Sequence, residues 1–239
     1  MQLIQQMIKP WRHVFKLDPD RTISDTDLAS VCLSGSDAIL VGGSSGVTYE
    51  NTVELLSRVR YYDLPCALEV SNMEAVVPGF DCYMIPMVLN TPEPAWILGH
   101  HREAIERYGS FIPWELLLTE GYIVLNADSS VARLTSADTE LTADAAAAYA
   151  QIADKLMNLP IVYLEYSGTF GDMVTVQTVR ENVEHSQLFY GGGITCEAEA
   201  IQAAALCDTV VVGNIIYHDL QQALRTVEAV KKTNPVSYL

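Results

Sequence analysis

The chain of 239 residues sets 14 basic against 30 acidic side chains, a net charge of −16, and is 49% hydrophobic but only 18% charged. That balance excludes nonspecific binding to nucleic acid, which needs basic side chains against the phosphates. It still allows a small anion held by one lysine and backbone N–H groups. No apolar run approaches the ~20 residues of a membrane helix, and residues 1–11 lack the basic and apolar regions of a secretory signal.

Eight strand-like runs are predicted, most of them followed by a helical pattern. The first, 13–18, reads His-Val-Phe-Lys-Leu-Asp and precedes a helix over 25–33. The second, 38–44, runs into Gly42-Gly43-Ser44-Ser45-Gly46 ahead of a helix over 49–60. Strands over 66–70 and 82–89 follow, separated only by 71–81 with Pro78-Gly79 inside. That spacing is too short for a crossover helix and its loops. The third helix is therefore expected to be lost or replaced by an extended segment, leaving an apolar opening in one wall that suits a long hydrophobic ligand. A helix over 94–108 and a strand over 122–126 come next. An alanine-rich helix over 143–158 starts from a Thr142 or Asp144 cap. The sixth strand, 161–166, closes on Tyr163-Leu164-Glu165-Tyr166-Ser167-Gly168, and a helix over 174–184 follows. The last strands, 187–190 and 209–212, end in Gly191-Gly192-Gly193 and Gly213-Asn214, each ahead of a helix (197–206 and 220–231).

Continuous apolar strands suit a parallel sheet covered on both faces. Two glycine turns at successive late strands place an anion where a (β/α)8 barrel holds phosphate. The rival, a doubly wound open sheet, wants a glycine-rich turn after its first strand. That position reads Phe15-Lys16-Leu17-Asp18-Pro19. A single TIM-barrel domain over 1–239 is the expectation.

In such a barrel the polar strand ends converge on one face. Lys16, Asp18, Ser44, Asn90, Asn126, Glu165 and the glycine turns would meet there. Each has a plainer alternative. Lys16 and Asp18 share a strand face and would also make a structural ion pair. Glu165 would also be a satisfied core carboxylate, and the Gly-Gly-Ser-Ser-Gly run an ordinary loop. His100-His101 reads as a solvated or interfacial part of a helix surface rather than a metal site. The five cysteines, Cys32, Cys66, Cys82, Cys196 and Cys207, have no zinc spacing and read as free thiols of a cytoplasmic protein.

Taken together, Phe15-Lys16-Leu17-Asp18-Pro19, Val41-Gly42-Gly43-Ser44, Tyr163 to Gly168, Leu188 to Ile194 and Val212-Gly213-Asn214 resemble the bacterial heptaprenylglyceryl phosphate synthases, relatives of the archaeal geranylgeranylglyceryl phosphate synthases. The resemblance covers essentially the whole chain. It implies a (β/α)8 barrel with a replaced third helix, a homodimer, and magnesium-dependent transfer of a polyprenyl group from its diphosphate to sn-glycerol 1-phosphate. It further implies that Lys16 contacts glycerol phosphate and that Asp18 and Ser44 contribute to a Mg2+ site. Tyr163, Leu164, Glu165, Tyr166, Ser167, Gly168, Gly193, Gly213 and Asn214 would bind the acceptor. Glu165 is the residue expected to accept or orient the hydroxyl proton, with Tyr163 or Tyr166 supporting it. Ala104, on the helix that sets chain length in such enzymes, leaves room for a long chain. Two other classes stay open: a barrel isomerase or aldolase on a phosphorylated metabolite, and a noncatalytic phosphate-binding module. Membrane contact would be transient and at the surface.

Overall fold

The computed structural model describes residues 2–235; residue 1 and residues 236–239 of the expected 1–239 unit lie outside the described residues. Its strands are β1 (His13–Leu17), β2 (Ala38–Val41), β3 (Cys66–Glu69), β4 (Cys82–Val88), β5 (Leu117–Val124), β6 (Ile161–Glu165), β7 (Gln187–Gly191) and β8 (Thr209–Val212). All pair in parallel, in sequence order, and β1 closes the barrel by pairing both neighbours: Val14 lies opposite Ala38 and Val211. The helices are α1 (Gln2–Ile8), α2 (Asp25–Cys32), α3 (Tyr49–Val59), α4 (Gly99–Tyr108), α5 (Ser130–Thr135), α6 (Ala143–Gln151), α7 (Met173–Arg180), α8 (Glu197–Leu206) and α9 (Leu220–Lys232).

Alternation along each strand sorts the apolar residues into two cores. On β6, Ile161 and Tyr163 point into the barrel with Val14, Leu40, Met84, Leu118 and Phe189. Val162 and Leu164 point outward with Leu188, Val210 and the apolar faces of α2, α3 and α6 to α9. Both cores are needed because a parallel sheet has no solvated face.

Local chemistry starts the helices as read. Thr142 accepts from Ala145 N–H ahead of α6, and Thr48 forms a reciprocal capping box with Asn51 ahead of α3. Several bounds differ from expectation. β5 begins at Leu117 rather than 122, because Thr119-Glu120-Gly121 hides a strand that pairs along the whole length of β4. The 94–108 helix splits into a 3-10 turn at Pro94–Trp96 and α4, and the 143–158 helix gives way after α6 to a π turn at Ile152–Leu156.

Two helices were not expected at all, α5 and α1. The second matters more. Ile4, Ile8 and Trp11 cluster with the barrel interior, while Gln187 and Thr209, at the starts of β7 and β8, donate to the Ile8 and Trp11 carbonyls. α1 therefore plugs the mouth at the N-terminal ends of the strands. Each such buried side chain contributes about 1.5–3 kcal/mol of transfer energy.

Between β3 and β4 the chain makes one 3-10 turn, Met73–Ala75, and is otherwise extended. Its apolar side chains do not line an opening. Ala75, Val77 and Phe80 are buried, and the Tyr83 hydroxyl donates to the Val77 carbonyl. These three residues pack where a helix would lie, while Val76 between them stays exposed, so the segment covers part of the expected apolar opening.

Candidate active site

The C-terminal ends of the strands enclose a cavity of about 490 Å³. Lys16, Asp18, Ser44, Tyr163, Glu165, Ser167, Gly168, Gly193, Gly213 and Asn214 all line it. Leu164 and Tyr166 do not. Pleating turns Leu164 into the outer core, and Tyr166 packs on Tyr190, ring centroids 5.8 Å apart. Every second side chain of the segment therefore faces the helices, which leaves only backbone groups of Leu164 and Tyr166 for an acceptor contact. Asn90 and Asn126 also leave the cavity. Asn90 clamps the Val124 backbone and Asn126 donates to the Ser167 carbonyl.

The floor is acidic. Lys16 does not pair with Asp18, two residues along its own strand; it bonds both oxygens of Glu69 on β3, at 2.5 and 2.7 Å. Burial works to lower the Lys16 pKa, but Glu69, then Glu165, outweigh it and raise the pKa above the ordinary lysine value. Glu165 accepts from the Tyr122 hydroxyl at 2.6 Å and from Ser167 N–H at 2.5 Å. Burial raises the Glu165 pKa, against the opposing pull of Lys16 and those hydrogen bonds. Its place among these donors, facing the cavity, suits a group that accepts or orients a proton. Tyr122 stacks on Tyr163, and burial followed by the Glu165 charge pushes both phenols well above the usual tyrosine value. Neither phenol is therefore a base, and Tyr122 donates to Glu165.

Glu120 is fully buried and neither carboxylate oxygen has a partner. Burial, reinforced by Glu69, drives its pKa well above the carboxylate range, so it is a neutral acid under the site. Glu69, Glu120 and Tyr122 were missed as site residues. Glu69 alone had a visible signal, a carboxylate ending the apolar run Cys66-Ala67-Leu68.

The roof is a glycine cradle. Gly193 has φ +60°, and a Cβ there would sit 1.9 Å from the Thr169 carbonyl carbon, so the loops after β6 and β7 touch through bare backbone. The N–H groups of Gly192, Gly193 and Gly213 have no carbonyl partner among the described residues. The two helices start where expected, α8 at Glu197 and α9 at Leu220, several residues past the turns, and Gly213 leads first into a 3-10 turn, Asn214–Tyr217. Anion binding here rests on loop N–H groups rather than on a long helix dipole.

Asp18 faces this cradle from the turn after β1. Its Oδ1 accepts from Asp20 N–H, its own N–H donates to the Tyr217 hydroxyl, and burial raises its pKa. Gly43 lies against its carboxylate, where a Cβ would come within 2.5 Å of Oδ1. Outside the cavity, His101 is half-buried rather than solvated, its ring between the carbonyls of Ile97 and Pro86. All five cysteines are free thiols, and four are buried.

Fold and site together define a (β/α)8-barrel protein whose strand ends enclose a cavity, with unpaired glycine N–H groups set opposite a part-buried lysine and carboxylates. The family model described as the PcrB family matches residues 6–231, and the chain belongs to that family. It is 53% identical over 223 residues to heptaprenylglyceryl phosphate synthase of Brevibacillus brevis, covering 93% of this chain and 96% of that protein. It is 51% identical over 225 residues to the protein of the same name from Geobacillus kaustophilus, covering 94% of each. Among solved structures, the (S)-3-O-geranylgeranylglyceryl phosphate synthase of Thermoplasma acidophilum in complex with substrate sn-glycerol-1-phosphate shares the fold at TM-score 0.84 and 22% identity, covering 98% of this chain and 100% of that one.

Proposed function

We propose that this chain transfers a polyprenyl group, heptaprenyl by the names of its relatives, from its diphosphate to sn-glycerol 1-phosphate. The glycerol hydroxyl oxygen forms an ether bond to C1 of the prenyl group, the C1–diphosphate bond breaks, and the hydroxyl proton goes to Glu165. The observation that carries this reading is Glu165 itself. It lines the cavity shared with the glycine cradle, and Tyr122 and Ser167 hold its two oxygens.

Gly193, Gly213 and Asn214 would grasp the acceptor phosphate, with Lys16 supplying positive charge and Ser167 and Gly168 the facing edge. Fixing the phosphate aims one hydroxyl at the allylic carbon. Tyr163, stacked between Tyr122 and Phe189, keeps the wall beside Glu165 rigid. The polar cavity suits the charged heads of both substrates. The prenyl tail would lie outside it, toward α4, where Ala104 is small and Leu98, Ile105 and Tyr108 are exposed.

For a divalent cation the candidate ligands are Asp18, whose Oδ2 has no protein donor among the described residues, and the Ser44 hydroxyl lining the same cavity. Both are hard oxygen donors. Among the described residues no cluster of three or more His, Cys, Asp or Glu surrounds them, so Mg2+ bound here would need substrate oxygens and water to complete its shell. When bound, it would neutralise charge on the leaving diphosphate.

Among the described residues no helix is long and apolar enough to cross a membrane. The proposed unit is residues 1–239 as one domain, working as a homodimer in the cytoplasm with transient contact at the membrane surface.

The test is incubation with Mg2+, labelled sn-glycerol 1-phosphate and allylic diphosphates of several lengths. An ether-linked lipid product, abolished in Glu165→Gln with acceptor affinity retained, is expected. No lipid product with any donor would overturn the proposal, and full activity of Glu165→Gln would remove Glu165 from the chemistry.

A further inference from the structure

The reaction brings two strongly anionic groups together, yet the cavity lining holds a single lysine, and Glu69 already occupies its ammonium. A second cation stands just outside. Arg21 ends the turn that begins at Asp18, closed by Arg21 N–H donating to the Asp18 carbonyl at 3.0 Å. Its guanidinium lies flat on the Tyr217 ring, 3.9 Å from the centroid, and one N–H donates to Asn214 Oδ1 at 3.0 Å. Tyr217 in turn accepts from Asp18 N–H through its hydroxyl, so the turn after β1 and the turn after β8 are tied around this one side chain.

We propose that Arg21 is a binding residue for the diphosphate of the prenyl donor, held in place by Tyr217 and Asn214 at the rim of the cavity. This inference rests on the prenyl-transfer reading.

Three observations favour the donor over the acceptor. Arg21 shares its turn with Asp18, the residue on the proposed cation side, so a diphosphate there meets both. It sits outside the glycine cradle, toward solvent, where a leaving group departs. Most of its N–H donors remain free while the ring and the amide fix its plane, an arrangement suited to paired N–H contacts with phosphate oxygens. Stacking also spares the guanidinium the entropy loss of ordering a free side chain on binding. A structural tie between the turns needs none of these spare donors.

The experiment measures binding of inorganic diphosphate with Mg2+, and separately of sn-glycerol 1-phosphate, to the wild-type full chain, Arg21→Gln and Arg21→Lys, by titration calorimetry. Steady-state KM values for both substrates accompany it. The expected result is a loss of tenfold or more in diphosphate affinity for Arg21→Gln, about 1.4 kcal/mol. Acceptor affinity should stay within twofold, with partial recovery in Arg21→Lys and a matching rise in KM for the prenyl donor alone. Because Arg21 is part-exposed, unchanged thermal unfolding should accompany these effects. Unchanged diphosphate affinity overturns the proposal. So does a loss confined to the acceptor or equal for both ligands, which would make Arg21 a support for Asn214. The binding arms need no turnover, so absence of any lipid product from wild type would defeat the prenyl-transfer reading while the diphosphate comparison still decides Arg21.

Discussion

Replacing Gly193 by alanine tests the cradle directly. At φ +60° a non-glycine residue costs about 1–2 kcal/mol. The larger effect is steric: the new Cβ would lie 1.9 Å from the Thr169 carbonyl carbon and 2.0 Å from Phe170 N, both backbone atoms. Relaxing to ordinary contact near 3.5 Å requires the β6 and β7 loops to separate by about 1.6 Å. A misplacement of ~1 Å is enough to cost ~10²-fold in rate. Gly35→Ala is the matched control, since Gly35 has φ +88° but open space around it and lies at the opposite end of β2. Both variants should lose stability by thermal unfolding, Gly35→Ala by roughly 2–8 °C for a chain of this size. Only Gly193→Ala should lose sn-glycerol 1-phosphate affinity and prenyl transfer, each by about 10²-fold. Acceptor affinity within twofold of wild type in Gly193→Ala would refute the cradle.

Glu120→Gln should flatten the pH dependence of stability. An acid whose pKa is higher folded than unfolded binds more proton in the native state, so wild-type stability falls as pH rises above the unfolded carboxylate value. Urea unfolding between pH 5 and 8 should show the two proteins diverging as pH rises, with the variant the more stable; parallel curves would contradict a protonated Glu120. Tyr122→Phe removes a donor that stabilises the Glu165 carboxylate, which raises the Glu165 pKa. The acid limb of its pH–rate profile should move to higher pH, and an unmoved limb would dissociate Tyr122 from the reacting base. Lys16→Met leaves Glu69 buried without its cation and should destabilise by about 3 kcal/mol. Adding Glu69→Gln should restore stability in chemical denaturation without restoring acceptor binding, which would separate the two roles of Lys16.

The barrel was legible because six of its strands, β1 to β3 and β6 to β8, are short apolar runs ending in Gly, Ser, Asp or Glu. β5 was half-hidden because Glu120 points into the barrel, a polar residue where periodicity expects an apolar one. α1 was invisible for the opposite reason. Its few apolar residues are unremarkable until the barrel mouth exists to receive Ile4, Ile8 and Trp11. The cradle and Glu165 could be read from the chain since strand ends meet by topology alone. Partnerships could not: Lys16 with Glu69, Glu165 with Tyr122 and Arg21 with Tyr217 join residues 53, 43 and 196 positions apart, respectively, and depend on register and pleat. Leu164 and Tyr166 show the cost of carrying a contiguous segment over whole, when only alternate side chains can share a face.

Arg12 sits just before β1, and its guanidinium donates to the carbonyls of Ala204, Cys207, Asp208 and Thr233. Every one of those acceptors lies near the other end of the chain. During synthesis β1 emerges first and keeps an unpaired edge until β8 and the segment leading into α9 have followed. The seam that completes the barrel is therefore also the last to form. A permuted gene that joins the old ends and opens the exposed turn at Gly35 would make the β8–β1 pair early and move the vulnerable edge elsewhere.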